Sequence, residues 1–320
     1  MRQFVANPIY LPEREELRFL PEGPRVLQNY PGAAHLVGWV AIQHGVDRFE
    51  GSLNVLDLQT GINENFPLPG RPGFFAETTK PGTVIVGMDR RLVYFDLLSG
   101  ALEETGVVVS VDESVIINDG ISVPGGLLFG TKHLQFDRPV AALYHYSAQS
   151  REVRVLRDGQ TCSNGKCFHN EGDEIRIIDI DSTPKTISQY QFDRRMEKLL
   201  HSRHVVAPAS LHAFPEGLRA SPDGNSVIVA FFNPAAVADG IAREIRISDG
   251  AVLTEWVLPG SPRVTCPEFA MIDGEVKVLF TTAVEGMPDE IRKIAPEAGA
   301  LFVGDTHFTA LPVPPPLFPY

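Results

Sequence analysis

Apolar residues in this chain come in short runs. Thr83-Val84-Ile85-Val86, Ser226-Val227-Ile228-Val229-Ala230-Phe231-Phe232 and Val276-Lys277-Val278-Leu279-Phe280 are rich in β-branched and aromatic residues, the composition of β-strands. Turn residues separate the runs. Val55-Leu56-Asp57-Leu58-Gln59-Thr60-Gly61 and Tyr94-Phe95-Asp96-Leu97-Leu98-Ser99-Gly100 read as two copies of one hairpin phrase. Further hairpin turns fall at Pro124-Gly125-Gly126, Asn170-Glu171-Gly172-Asp173, Pro222-Asp223-Gly224-Asn225, Ser248-Asp249-Gly250 and Ile272-Asp273-Gly274. Hairpins recurring at roughly 40 to 50 residues mean stacked or radial repeats, and a four-stranded propeller blade uses about that much chain. Six such blades fit 320 residues. One segment disagrees: Phe192-Asp193-Arg194-Arg195-Met196-Glu197-Lys198-Leu199-Leu200-His201 is made of good helix formers, and a short surface helix in place of a hairpin tip reconciles the two.

Composition narrows the class. Hydrophobic residues are 43% and charged residues 21%, with Gly 28 and Pro 26, so the chain has material for a core and many turns. No linker or composition break divides it, and residues 1–320 read as a single domain, with 1–19 leading into the first blade. The formal charge of −12 opposes binding to nucleic acid or to an anionic membrane, both of which need clustered Lys and Arg. No run approaches the roughly 18 apolar residues that span a bilayer, and the first residues lack the apolar stretch of a signal peptide. Three cysteines, Cys162, Cys167 and Cys266, do not pair evenly and fit a reduced, cytoplasmic protein. Cys162 and Cys167 read as structural.

The chemistry-bearing residues are oxygen donors. Glu22, Asn164 and Glu216 each stand next to glycine, in Pro21-Glu22-Gly23-Pro24, Cys162-Ser163-Asn164-Gly165 and Phe214-Pro215-Glu216-Gly217-Leu218. Two carboxylates and an amide carbonyl suit a hard divalent cation. Glu-Gly and Asn-Gly are also ordinary turn chemistry, so spacing alone leaves three unrelated turns as the alternative.

The ordered phrases carry further. Leu20-Pro21-Glu22-Gly23-Pro24, Arg71-Pro72-Gly73-Phe74, Asn118-Asp119-Gly120 with Phe129-Gly130-Thr131, Cys162-Ser163-Asn164-Gly165, Asp181-Ser182, Pro215-Glu216-Gly217-Leu218 and Pro296-Glu297-Ala298-Gly299-Ala300-Leu301-Phe302 follow one another as in the regucalcin/gluconolactonase family. The chain resembles that family, which includes luciferin-regenerating enzymes and bacterial sugar lactonases, from Leu20 to about Val303. The resemblance implies an all-β, six-bladed β-propeller with a metal site at the mouth of the central channel. It implies that Glu22, Asn164 and Glu216 hold one divalent ion, Ca²⁺ first, with Mg²⁺, Mn²⁺ and Zn²⁺ as alternatives. It places Glu216 as the acid/base and Asn118 as a substrate contact, with Asp119 as a turn brace.

Lactone opening is the reaction implied. A metal with open positions polarises a carbonyl and lowers the pKa of water, and a carboxylate takes the proton. Three departures bear on it. Glu216 stands where most relatives have Asp. Ile116 stands where sugar-lactone members have an Arg, so the substrate expected is less hydroxylated or more apolar than gluconolactone. Ala41 follows Trp39-Val40, where relatives often have Asp. A phosphotriester or fluorophosphate hydrolase, and a propeller that only binds metal or a small molecule, are the other readings. Nucleotide, serine-hydrolase and zincin motifs are missing. His133 and His145 are candidate rim residues, and His201 and His204 face one way if their segment is helical.

Overall fold

The structure, a computed structural model, describes residues 1–171, 174–193, 198–206, 211 and 213–320. Two short strands come first, β1 (Arg2–Val5) and β2 (Asn7–Tyr10). Blade 1 follows with β3 (Pro21–Val26), β4 (Leu36–Ala41), β5 (Gly51–Asp57) and β6 (Asn63–Leu68), and blade 2 with β7 (Pro72–Glu77), β8 (Thr83–Met88), β9 (Arg91–Asp96) and β10 (Leu102–Val108). Blade 3 is β11 (Val115–Val123), β12 (Gly126–His133), β13 (Ala141–Ser147) and β14 (Val153–Gln160). Blade 4 is β15 (Ser163–Glu171), β16 (Glu174–Asp181), β17 (Thr186–Asp193) and β18 (Lys198–Val206). Blade 5 is β19 (Phe214–Ala220), β20 (Ser226–Phe232), β21 (Gly240–Arg246) and β22 (Val252–Leu258). Blade 6 contains β23 (Val264–Ile272), β24 (Glu275–Thr282) and β25 (Leu301–Asp305), with one helical turn, α1 (Asp289–Ile294), before its last strand.

Within each blade the strands are antiparallel neighbours in chain order. The first strands β3, β7, β11, β15, β19 and β23 touch one another in sequence and back to β3, forming the wall of a central channel. The molecule is therefore a six-bladed β-propeller.

The core sits between blades, with one apolar cluster at each of the six seams. Leu53, Val55, Val84 and Phe95 fill the first; Phe74, Ile85, Phe129 and Tyr144 the second; Ile121, Leu143, Ile175 and Tyr190 the third. Ile178, Leu218 and Val229 fill the fourth, Ile228, Trp256 and Phe280 the fifth, and Trp39, Leu56 and Leu279 the last. Each large side chain buried there contributes about 1.5–3 kcal/mol, so no blade is stable without its neighbours.

The ring is closed by the N-terminal segment. It does more than lead into the first blade, because β2 completes blade 6 antiparallel to β25, with Asn7 opposite Val303, while β1 adds in parallel to β22 of blade 5. The C-terminal stretch docks on blade 2: Phe318 donates to Glu77 O at 2.8 Å, accepts from Thr79 N at 2.9 Å, and stacks on Tyr146.

The two copies of the hairpin phrase share one turn. Asp57 Oδ1 accepts from Gln59 N at 2.8 Å and Asp96 Oδ1 from Ser99 N at 2.9 Å, each with the glycine N–H returning to the Asp carbonyl. The turns at Pro124, Pro222, Ser248 and Ile272 also join successive strands of a blade. In the Asn170 turn, Gly172 and Asp173 lie outside the described residues. The helix expected over Phe192–His201 is not found where the chain is described. Phe192 and Asp193 end β17, and Leu199 and Lys198 pair with them in β18; residues 194–197 lie outside the described set. Phe192 is buried in the seam between blades 3 and 4, and that tertiary burial outweighs helix propensity.

Candidate metal and active site at the mouth of the channel

Each chemistry-bearing phrase lies in the first strand of a blade, at a break in its register. Pairing slips between Glu22 and Arg25, Ile117 and Asp119, Asn164 and Lys166, and Pro215 and Leu218. These are β-bulges, which leave a residue unpaired and re-aim its side chain. The turns allowed as an alternative for these phrases are therefore bulged strand ends. Glycine is needed because the channel wall is crowded: a Cβ on Gly165 would stand 2.3 Å from Glu216 O, and one on Gly217 2.4 Å from Cys266 Sγ.

The bulges bring residues from different blades together. Asn164 Nδ2 donates across the seam to Glu216 Oε2 and to Ser182 Oγ at 3.2 Å, while its Oδ1 accepts from Gly165 N at 3.0 Å. Ser182 donates to Pro215 O at 2.7 Å, tying blade 4 to the Glu216 bulge. Asp181 accepts from Cys162 N at 2.9 Å and holds the entry to β15. Asn118 Nδ2 donates to Ser163 O at 3.2 Å beside Cys162 Sγ.

Glu22 stands within electrostatic reach of Glu216. Burial, reinforced by the charges of Glu216 and Asp119 and opposed by Lys132, raises its carboxyl well above the usual range. Burial likewise raises Glu216 to about 8, with Lys132 and the Asn164 amide opposing and Glu285 and Asp119 adding. Two buried carboxylates with raised proton affinity, one acted on by the charge of the other, are chemically suited to a divalent cation. Among the described residues no group of three His, Cys, Asp or Glu that could hold a metal ion is found.

Below the mouth the channel is filled with ion pairs. Asp119 accepts from Gly120 N at 2.7 Å and stands 3.6 Å from Lys166, which also lies 3.8 Å from Asp179. Glu268 Oε2 takes Arg25 at 3.3 Å and Arg219 at 3.0 Å, and both arginines donate to Pro24 O. Asp119 is thus a brace, in a bulge rather than a turn.

Residues 20–284 match the SMP-30/gluconolactonase/LRE-like region. The chain belongs to this family. It is 25% identical over 249 residues to the L-arabinolactonase of Azospirillum brasilense, covering 77% of this chain and 78% of that protein. The calcium-binding protein regucalcin from Agrobacterium tumefaciens str. C58 superposes with a TM-score of 0.80 at 20% identity, covering 99% of both chains. A luciferin-regenerating enzyme does so at 0.80 and 18% identity, over 98% of this chain and 99% of that one.

Within this SMP-30/gluconolactonase-like fold, the residues missed from sequence are Lys132 and Glu285. The family phrase Phe129-Gly130-Thr131 stops one residue short of Lys132, a charge near the end of a wholly buried strand, and that position was the available signal. Glu285 follows β24 after Ala283 and Val284, and nothing in its surroundings marks it. Ile116 is buried opposite Lys132, so a cation accompanies the apolar wall expected there. Ala41 is buried opposite Pro21. His133 pairs with Asp137 at 2.9 Å where β12 ends, and His145 lies against Phe192 in a seam. His201 and His204 line a surface cavity of about 450 Å³ on the outer strands of blade 4, away from the channel. The three cysteines are buried and free. No helix among the described residues is long and apolar enough to cross a membrane.

Proposed function

We propose that this protein is a divalent-metal-dependent hydrolase that opens a lactone. The observation that carries the reading is the convergence of Glu22, Asn164 and Glu216 from three blades onto one mouth, with Asn164 bonded to Glu216 and the charge of Glu216 acting on Glu22. Family membership and the likeness to a lactonase support the reaction class.

Glu22, Asn164 and Glu216 would hold the ion, and their oxygen chemistry favours Ca²⁺, with Mg²⁺, Mn²⁺ or Zn²⁺ as substitutes. A divalent cation there supplies polarisation of the ester carbonyl and a lower pKa for water. Glu216, when ionised, would accept the proton of the attacking water. The carbon–ring oxygen bond then breaks, and the alkoxide recovers the proton as a hydroxy acid forms. Asn118, fixed to blade 4 through Nδ2, holds its amide at the substrate side. Ile116 offers no donor to ring hydroxyls, so a sparsely hydroxylated ring is favoured over a polyhydroxylated one.

The test is proton release from a panel of sugar, alkyl and aromatic lactones by protein stripped with chelator and refilled with single cations. Turnover is expected only after refilling, with at least a 10²-fold loss in Glu22→Gln and Glu216→Gln. Turnover indifferent to chelator sinks the metal dependence, while an inert lactone panel alongside hydrolysis of aryl phosphotriesters moves the assignment to that substrate class.

A further inference from the structure

Lys132 is 6% exposed, and its position in β12 sets it opposite Ile116 and bridged to Cys162 at the head of blade 4. Its charge acts on Glu22, Glu216 and Cys162, so the side chain is turned toward the mouth. Among the described residues it has neither a carboxylate at ion-pair distance nor a hydrogen-bond acceptor. Its contact there is the Phe136 ring, 5.7 Å from Nζ.

The second buried lysine behaves differently. Lys166 donates to Asn164 O at 2.7 Å and sits between Asp119 and Asp179. Lys132 has no such partners, and an ammonium that gives up its water to a bound substrate without gaining an acceptor is costly. Glu22 and Glu216 do not fill the need, since their two charges are the ones a divalent cation would take. One positive charge is then left facing the substrate side, next to an apolar wall.

We infer that Lys132 is a specificity-determining residue that seats a carboxylate carried on the lactone ring, so that the substrate class is an acidic, sparsely hydroxylated lactone. A ring hydroxyl would satisfy one N–H but leave the charge unpaired, whereas a carboxylate supplies both the acceptor and the counter-charge. Ile116 on the facing strand meets the ring carbons. This inference rests on the lactonase reading for its substrate, though not for its binding geometry.

The experiment compares 5-oxotetrahydrofuran-2-carboxylate with γ-valerolactone, the same ring carrying a methyl group, in wild-type protein, Lys132→Met and Lys132→Arg. Wild type is expected to prefer the acid in kcat/KM. Lys132→Met should reduce that acid-to-neutral ratio by roughly 10- to 100-fold, chiefly through KM, the effect of losing a charge-assisted hydrogen bond. Lys132→Arg should retain most of the preference. An equal fall in kcat on both lactones with KM untouched overturns the inference and assigns Lys132 to the leaving alkoxide instead. If wild type opens neither lactone, the lactonase reading fails separately, and calorimetry with tetrahydrofuran-2-carboxylate and 2-methyltetrahydrofuran in Ca²⁺ still decides the subsite. Tighter binding of the acid that disappears in Lys132→Met supports it. Equal binding, or a preference that survives Lys132→Met, overturns it.

Discussion

Glu216 carries two proposed roles in one side chain, ligand and base. Compared with an Asp, its extra methylene moves the carboxylate about 1.5 Å further from the backbone, and the Asn164 amide of the neighbouring blade meets it there. Its proton affinity, raised from an ordinary value near 4.5 to about 8, has a stability consequence. The folded, metal-free protein keeps a proton that the unfolded chain releases above about 4.5. That contribution is complete at low pH and is lost as pH rises toward 8. Metal-free protein should therefore melt at a lower temperature at pH 8.5 than at pH 5.5. Added Ca²⁺ should raise the melting temperature more at pH 8.5, where it no longer competes with the proton. Scanning calorimetry at both pH values checks this, and an equal or larger Ca²⁺ shift at pH 5.5 would refute it. At this scale the sequence was informative wherever a phrase named its residue: Glu22, Asn118, Asn164 and Glu216 all lie in the bulged ends of channel strands. Lys132 and Glu285 escaped because a charge at the end of an apolar strand looks like a surface residue until the neighbouring blade covers it.

Among the elements, the first strands of the blades matter most. Six of them share a narrow channel, and their bulges turn a repetitive wall into a set of individually aimed side chains. Below the site, the wall is held by charge rather than by apolar packing, with Glu268 serving both Arg25 and Arg219. Removing the shared carboxylate strands the buried guanidinium of Arg219 and the half-buried one of Arg25. Glu268→Leu should cost about 3–5 kcal/mol, read as a lower denaturant midpoint, and a loss under 1 kcal/mol would show that water replaces the carboxylate. The strands themselves were legible: β20 coincides with the run Ser226–Phe232, and both copies of the Asp-Gly hairpin phrase fold into the same turn. The stretch around Phe192 was not. Helix propensity is a property of local residues, whereas the burial of Phe192 against His145 and the Leu143 cluster of blade 3 is a property of two blades.

At the scale of the whole molecule, stability resides in the seams. Phe318 shows how far the principle extends, because the C-terminal stretch inserts this ring, 1% exposed, beside Tyr94 and Tyr146 of blades 2 and 3. Phe318→Ala should destabilise by about 3–5 kcal/mol, measured by urea denaturation; a change below 1 kcal/mol would mean that the terminal stretch merely rests on the surface. The propeller architecture could be inferred from hairpin spacing, but the pairing of β1 and β2 with distant blades could not, since nothing in Arg2–Tyr10 specifies which edges those strands join.

That closure also sets an order of events during synthesis. The partner of Asn7 is Val303, nearly 300 residues later, and at about 5–20 residues per second the ribosome needs roughly 15–60 s to deliver it. For that interval β1 and β2 are nascent strands without their edges, so the last blade completes only after its final strand has left the exit tunnel. Growth conditions that slow elongation lengthen the exposure of two unpaired strands on every polysome, where the next nascent copy is the nearest available edge.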